Sequence, residues 1–563
     1  RGLPFLMIDM PEACKIVDKG LSSGQIDAQA LPKTFGKVLC KGSREFLSSL
    51  FLYLFDSRGR ALDGAEPTAV FFLRQTLLLA KKVKEDCSDA AIHTEVDQFR
   101  SLDQSLRTPS LFWDCDDLGY DRDRRLSFKD GHRGSPDWFS PRDPVPERLL
   151  GLLDRVCDRI LGSYRTLDWR DIVPSHGPGS VADAGSGTDK YLFPHWPLKL
   201  EGVFPYSYFG QCREDLHLDV DTQTSLHEPP ARLLAVPKTL KGPRMIASEP
   251  ISHQFLQLGL MKWFRKNLPF PLGTCIDFLD QRKSRDLCLE ASASGRLATV
   301  DLSAASDRLS CWVVERAFRS HEGILRALHA SRTRWLVNAT GIGEDYRIKL
   351  RKFAPMGSGV TFPVQSMIYA CVAIAALLWE RNAPLTKRTL KAAARDIRVF
   401  GDDIIMPSYA VPTLAHLLAH LELKVNASKT HWAGHFRESC GMDAYAGEDV
   451  TPLYLRSLSL GETAEDLVSW VDVCNNAYSK GLWALSDAMV RCIPDKVRKL
   501  IPVSSDVLGC LTLQCFQAIP PSGDELKRLR LGKMRESRTL HRWEVLGLTP
   551  QVKPVRGQRE NHQ

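Results

Sequence analysis

Apolar residues recur at helical spacing over residues 46–55 and again over 69–83, which predicts two helices near the start of the chain. A charged, loop-like stretch at 114–148 interrupts that pattern. Residues 367–379, MIYACVAIAALLW, are apolar on every face and end at Glu380 and Arg381. The run is too short to span a hydrocarbon layer of about 30 Å, so it predicts a buried core helix. Residues 297–300 (LATV) read as a strand with Asp301 at its end, and a helix-like segment follows at 311–318. In RVFGDDIIMP, residues 398–407, two short apolar runs flank Gly401, Asp402 and Asp403, which predicts a β-hairpin with acids at its tip. Residues 412–423 read as an amphipathic helix, and 435–441 and 449–456 as strands with turns.

A chain of 563 residues with 44% hydrophobic content can bury several cores, and about three or four subdomains are expected. That excludes a small binding module. The net charge of +8 favours a polyanionic partner, although 75 basic against 67 acidic residues is a modest excess. The 15 cysteines are odd in number and form no C-x-x-C pair, which points to reduced thiols in a cytosolic setting. His431, His435 and Cys440 lie in a glycine-containing turn region rather than along one helix, so no zinc site is read there. No secretory or membrane segment is expected.

Candidate chemistry gathers at the acids. Asp402 and Asp403 repel each other at a turn, and a cation between them relieves that repulsion. Carboxylate oxygens on a hairpin suit magnesium, which keeps some water and takes further ligands from phosphates. A Gly-Asp-Asp tripeptide alone is more often a surface turn. Its meaning changes with Asp301, because three acids from two strand segments are what a two-metal phosphoryl-transfer site needs. Asp307 follows after small residues, where helix capping is the bland alternative for it or for Ser303. Arg232, Lys238, Lys241 and Arg244 punctuate RLLAVPKTLKGPRMIASEP, a hairpin-like finger suited to a triphosphate or, blandly, a solvated surface. Ser358 sits between Gly357 and Gly359 in a loop that lets backbone approach a ligand. Lys429 could donate a proton if its pKa were lowered toward neutrality; a surface lysine is the alternative. The glycine-rich stretch 174–187 matches no nucleotide-binding loop pattern, and residues 527–542 carry seven cations against Glu536.

The ordered series RLLAVPKTLKGPRMIASEP, DLSAASDR, MGSGVTFPVQS, FGDDII, NASKTHW and FRESCG resembles the RNA-dependent RNA polymerase subunit of the RNA bacteriophages, the leviviruses, from about Gly177 to Arg456. The resemblance implies an α+β right-hand fold. Residues 1–170 would form an N-terminal helical region, 171–294 fingers, 295–458 a palm and 459–563 a thumb with a basic tail. It implies that Asp301, Asp402 and Asp403 are palm ligands of two magnesium ions, with manganese as a substitute. It further implies that Arg232, Lys238, Lys241 and Arg244 hold the incoming triphosphate, that Asp307 lies near the ribose, and that Ser358 and Gly359 position template and nucleotide. The implied partners are template and product RNA, ribonucleoside triphosphates, host elongation factors Tu and Ts and a ribosomal RNA-binding protein, in the cytoplasm of a bacterial host. Two departures stand out. Phe400 replaces the tyrosine common before Gly-Asp-Asp. In the pattern S-G-x-x-x-T-x-x-x-N, Thr361 comes early and Ser366 or Met367 stands where asparagine would be, which leaves Asp307 without that partner. A reverse transcriptase would carry an aromatic residue where Ser306 and Asp307 stand, and an RNA-binding protein without chemistry would not need all three acids.

Overall fold

The computed structural model describes residues 2–40, 46–110, 113, 126–130, 144–183, 187–210, 223–225, 228–503, 511–514 and 534–551. Most of the 114–148 loop, residues 184–186 of the glycine-rich stretch, residues 527–533 of the basic tail and residues 552–563 lie outside them. Helices and mostly antiparallel strands are mixed along the chain, an α+β architecture.

The apolar run at 367–379 is the centre of the molecule. Its helix is longer than its apolar core and spans Thr361–Glu380, buried continuously from Pro363 to Leu378. Pro363 sits in the first turn, where a missing N–H removes no helical hydrogen bond. By length and composition the helix could cross a membrane, but 94% of its apolar window is buried inside the fold. Helices Glu147–Ile160, Lys387–Arg395 and Val411–His420 pack around it.

Against this helix lies a three-stranded antiparallel sheet in the order Leu297–Val300, Asp403–Pro407, Arg398–Phe400. The hairpin predicted at 398–407 is its core. Phe400 pairs with Asp403, leaving Gly401 and Asp402 as a two-residue turn. A second sheet of four strands runs Gly242–Ser248, Ala231–Thr239, Trp335–Asn338, Arg347–Lys349, and helix Asp89–Ser105 covers it through Val96 and Phe99. The cation-bearing finger is thus a true hairpin, with its turn at Leu240 and Lys241.

Helices Met10–Ser23 and Pro67–Leu78 share a core with Phe436, Tyr445 and Val450. Buried Arg74 ties them together by pairing with Asp18 at 2.9 Å and Asp443 at 2.8 Å. Helices Ala464–Ser479 and Trp483–Arg491 form a further cluster with Ile501, Leu511 and Leu513. The strand expected at 449–456 is absent beyond Glu448–Asp449. There Pro452 has no N–H for a ladder, and the segment bonds to helix side chains and ends instead: Leu453 N–H donates to Gln75 and Leu455 N–H to the Leu79 carbonyl.

Candidate active site

The hairpin turn is built from a short-range constraint. Gly401 has φ +65°, and a Cβ there would lie 2.9 Å from the Phe362 ring, so both backbone and space demand glycine. Its N–H donates to Ser366 Oγ at 3.0 Å. Ser366, one candidate for the position of the expected asparagine, therefore holds the turn. Phe400 packs edge-to-face on Phe362, with ring centroids 4.9 Å apart.

Long-range register brings the acids together. Val300 pairs with Ile404 as the last pair of the antiparallel ladder, so Asp301, the next residue, leaves the strand beside Asp403 and acts on its charge, and Asp402 stands exposed at the adjoining turn. Asp301 accepts a hydrogen bond from Asn426 Nδ2 at 2.8 Å, and Asp403 accepts one from the Cys440 N–H at 3.1 Å. Burial and then the charge of Asp402 raise Asp301 to about 6, against the pull of Lys429 and Asn426. Burial, Asp402 and Asp301 raise Asp403 to about 7. The charge of Asp402 acts on both Asp301 and Asp403, and the nearby cations do not fully compensate it. As the side chains lie, no three His, Cys, Asp or Glu groups among the described residues close around a common point. The acids are neighbours with all-oxygen donors, a set that fits a hard divalent cation.

Lys429 lies beside this group, 4.0 Å from Asp301 and donating to Glu438 at 3.2 Å. The condition set for proton donation, a pKa lowered toward neutrality, is not met. Burial works to lower it, but Glu438 and Asp301 outweigh burial and hold it above the usual lysine range. It is a fixed positive charge.

An open cavity of about 490 Å³ adjoins the turn, lined by Asp402, Asp307, Ser306, Ser358, Lys238 and Arg244 among others. Of the four finger cations, only Lys238 and Arg244 line it. Arg232 lies six residues from Lys238 along the same strand, about 20 Å away at strand rise, and Lys241 at the turn pairs with Glu12 at 2.7 Å. These two positions are corrected: the hairpin is too long to aim both its ends at one pocket. Burial together with Arg244, Lys429 and Lys81 lowers the pKa of Lys238, which marks a crowd of cations around the cavity mouth. Lys15 is lowered in the same way, by burial and by Lys81, Lys241 and Lys429.

The loop before the core helix is pinned against the finger. Gly357 has φ +125°, and a Cβ there would fall 2.0 Å from the Ala247 carbonyl oxygen. Ser358 Oγ is buried without a hydrogen-bond partner and lines the cavity. The Gly359 N–H donates to Gln257 Oε1 at 3.1 Å.

Asp307 does have a partner, one that sequence reasoning missed. Lys352, fully buried, donates to its carboxylate at 3.0 Å while lying 3.3 Å over the Phe99 ring. The backbone N–H of Lys352 is held by Asp103 at 3.0 Å. Nothing in RKFAP sets this lysine apart from a surface one. Also missed were Glu95 and Gln98, which reach the cavity from helix Asp89–Ser105, in the region where the sequence was least informative. Asn426 lies in the NASKTHW motif, but its bond to Asp301 spans 125 residues of chain.

Comparison with known proteins matches residues 206–497 to the family described as RNA replicase, beta-chain. The RNA-directed RNA polymerase subunit beta of Escherichia virus Qbeta is 33% identical over 302 residues, 52% of this chain and 46% of that protein. The RNA-directed RNA polymerase beta chain of Enterobacteria phage fr is 31% identical over 460 residues, 75% of this chain and 79% of that protein. Against the first of these relatives the matched stretch spans about half of the other protein's length. A solved RNA-dependent RNA polymerase of a human picorbirnavirus, an insertion-loop deletion mutant, overlaps at 12% identity and a TM-score of 0.33, covering 49% of this chain and 60% of that one.

Proposed function

This chain belongs to the RNA replicase beta-chain family, and on that premise we propose that it is an RNA-directed RNA polymerase, copying a single-stranded RNA by nucleotidyl transfer. The observation that most supports this reading is the register that ends the Leu297–Val300 strand opposite Ile404 and so brings Asp301 beside Asp403, next to Asp402 and a cavity with cations on its wall. On this reading the Asp301, Asp402 and Asp403 region is the palm, the 231–248 hairpin belongs to the fingers, and the C-terminal helices form the thumb.

The three aspartates would hold two magnesium ions, for which manganese could substitute. When bound, such ions lower the pKa of an attacking 3′-hydroxyl and stabilise charge on departing pyrophosphate. The chain's own residues do the rest. Lys238 and Arg244 attract and orient the triphosphate from the cavity wall, arginine by a two-pronged grip and lysine as a mobile charge. Asp307 is held in place by buried Lys352 and offers an acceptor to a sugar hydroxyl. Ser358 Oγ, left unpartnered, supplies a further polar contact to nucleotide or template. Lys429 keeps Asp301 and Glu438 apart as charges and stays protonated.

Template and product RNA would be held mainly through phosphates and shape, so binding weakens steeply with salt. Elongation factors Tu and Ts and a ribosomal RNA-binding protein are the proposed host partners, in the bacterial cytoplasm, and copurification tests them. The decisive experiment replaces Asp402 with Asn. Divalent-dependent ribonucleotide incorporation on an RNA template falls on the order of a thousandfold, while RNA binding persists. Wild-type protein that incorporates nothing on any template, with partners supplied, would overturn the assignment.

A further inference from the structure

Helix Glu147–Ile160 divides its faces by charge as well as by polarity. Leu149, Leu150, Leu153, Val156, Cys157 and Ile160 are buried toward the core helix. The acids Asp154 and Asp158 are used within the fold, both by Arg319, at 3.0 Å and 2.6 Å. Arg148, Arg155 and Arg159 remain, and at 3.6 residues per turn they fall within about 20° of one line along the opposite face. All three are exposed. Among the described residues, none of them has an acidic partner within ion-pair distance.

A second cavity, of about 400 Å³, opens at the first part of this stripe. Lys129, Arg148, Arg155 and Trp379 line it, and Glu147 is the acid among its described lining residues. Gly151 makes the room. It occupies a helix interior, where glycine weakens the helix. At the point where its Cβ would stand, Lys129 Nζ lies 3.4 Å away and Arg155 Nη1 3.6 Å away. Two cations thus converge on one spot, and among the described residues neither forms an ion pair with Glu147, the acid on the same wall. Trp379, in the last turn of the core helix, keeps 37% of its surface exposed beside them. Exposed cations next to an open indole match the chemistry of single-stranded nucleic acid, in which phosphates take the charges and a base takes the ring.

The place of the cavity selects a polymer over a mononucleotide. Phe362, against the Gly-Asp-Asp turn, begins the core helix, and Trp379 ends it, about 26 Å away along the axis. Arg148 and Arg155 are about 10 Å apart along their helix, and Arg155 and Arg159 about 6 Å, a row of charges rather than one pocket. We infer that Arg148, Arg155, Arg159, Lys129 and Trp379 form a track for single-stranded RNA outside the catalytic cleft, at the far end of the core helix. The inference rests on the polymerase reading for its choice of RNA as the polymer.

The test compares the full chain with the triple variant Arg148→Gln, Arg155→Gln, Arg159→Gln and with Trp379→Ala. Binding is measured by fluorescence anisotropy against a long oligouridylate and against one short enough to lie within the cleft. The triple variant binds the long strand about tenfold more weakly, and its salt slope falls by about 2, the value for three lost phosphate contacts on a single strand. Trp379→Ala weakens the long strand by about tenfold. Binding of the short strand is unchanged in both, and a triple Arg→Lys variant restores most of the long-strand affinity. Unchanged long-strand affinity and slope, or equal loss for both lengths, overturns the track. Equal loss of polyglutamate binding with no contribution from Trp379 would overturn it in favour of a surface for an acidic protein. The polymerase reading fails separately, by absence of incorporation in the wild type on the short template.

Discussion

Two carboxylate groups in this protein meet burial in opposite ways. Glu228, in the core, is flanked by Lys199 at 2.9 Å and Arg334 at 2.7 Å. Burial works against its ionisation, yet Lys199, His253 and Arg334 outweigh burial and hold it well below the usual carboxylate range. The aspartates at the three-stranded sheet are compensated less, and burial with the charge of neighbouring acids pushes Asp301 to about 6 and Asp403 to about 7. The core uses a charge to fix three elements together. The cleft keeps charge unsatisfied, at a cost to the folded state, where a ligand can use it.

The sharpest break of this contrast is Glu228→Gln. It strands Lys199 and Arg334 in the interior and lowers the free energy of unfolding by about 3–5 kcal/mol in chemical denaturation. The wild type carries the same information in its acid response. Glu228 has a folded pKa below its unfolded value near 4.5, so its contribution is full above pH 4.5 and is lost as pH falls through the folded value. His253, driven to about 3 by burial and Lys199, also favours the folded state above pH 6.5 and ceases to as pH falls toward 3. Stability therefore declines on acidification, and a flat profile would remove the core half of the comparison.

Asp403→Asn should have the opposite sign. The folded pKa near 7 lies above the ordinary 3.8, so the favourable protonated state is complete below pH 3.8 and is lost as pH rises through 7. At pH 8 without divalent ions the variant gains up to about 4 kcal/mol of unfolding stability, a rise of about three pKa units at about 1.36 kcal/mol each. On the proposed two-metal reading, adding magnesium reverses the order, because only the wild type would keep all three carboxylates for the ions. A variant less stable than wild type in ion-free buffer would show that the acids are compensated after all.

Asp307 is the intermediate case, a cleft carboxylate with a buried partner. Lys352→Met releases it, and discrimination of ribonucleotides over deoxyribonucleotides, read as the ratio of kcat/KM values, falls about tenfold. An unchanged ratio would move Lys352 from the site to the scaffold.

The legible parts of the fold were those whose causes are local. The hairpin could be read because glycine between apolar runs has few other uses, and the core helix because an all-apolar run has nowhere to go but inside. Its start at Thr361 was missed because Thr361, Gln365 and Ser366 look polar in sequence, although they are buried in contact with the turn and loop. The finger cations were legible as a hairpin but not as a set, since strand length alone separates Arg232 from Lys238. Lys352 and the cavity face of helix Asp89–Ser105 carried no signal.

Taken by itself, the amino-acid order determined the turn at Gly401, the buried helix, the alternation that makes strands and the presence of three acids, because each depends on neighbours within a few positions. Tertiary structure alone decided that Asp301 comes beside Asp403, that Lys352 rather than an asparagine holds Asp307, and that Lys429 stays charged. Those outcomes depend on register and on the surroundings of each charge. Both are set by elements far apart in the chain, whose approach costs backbone entropy that only the whole core repays.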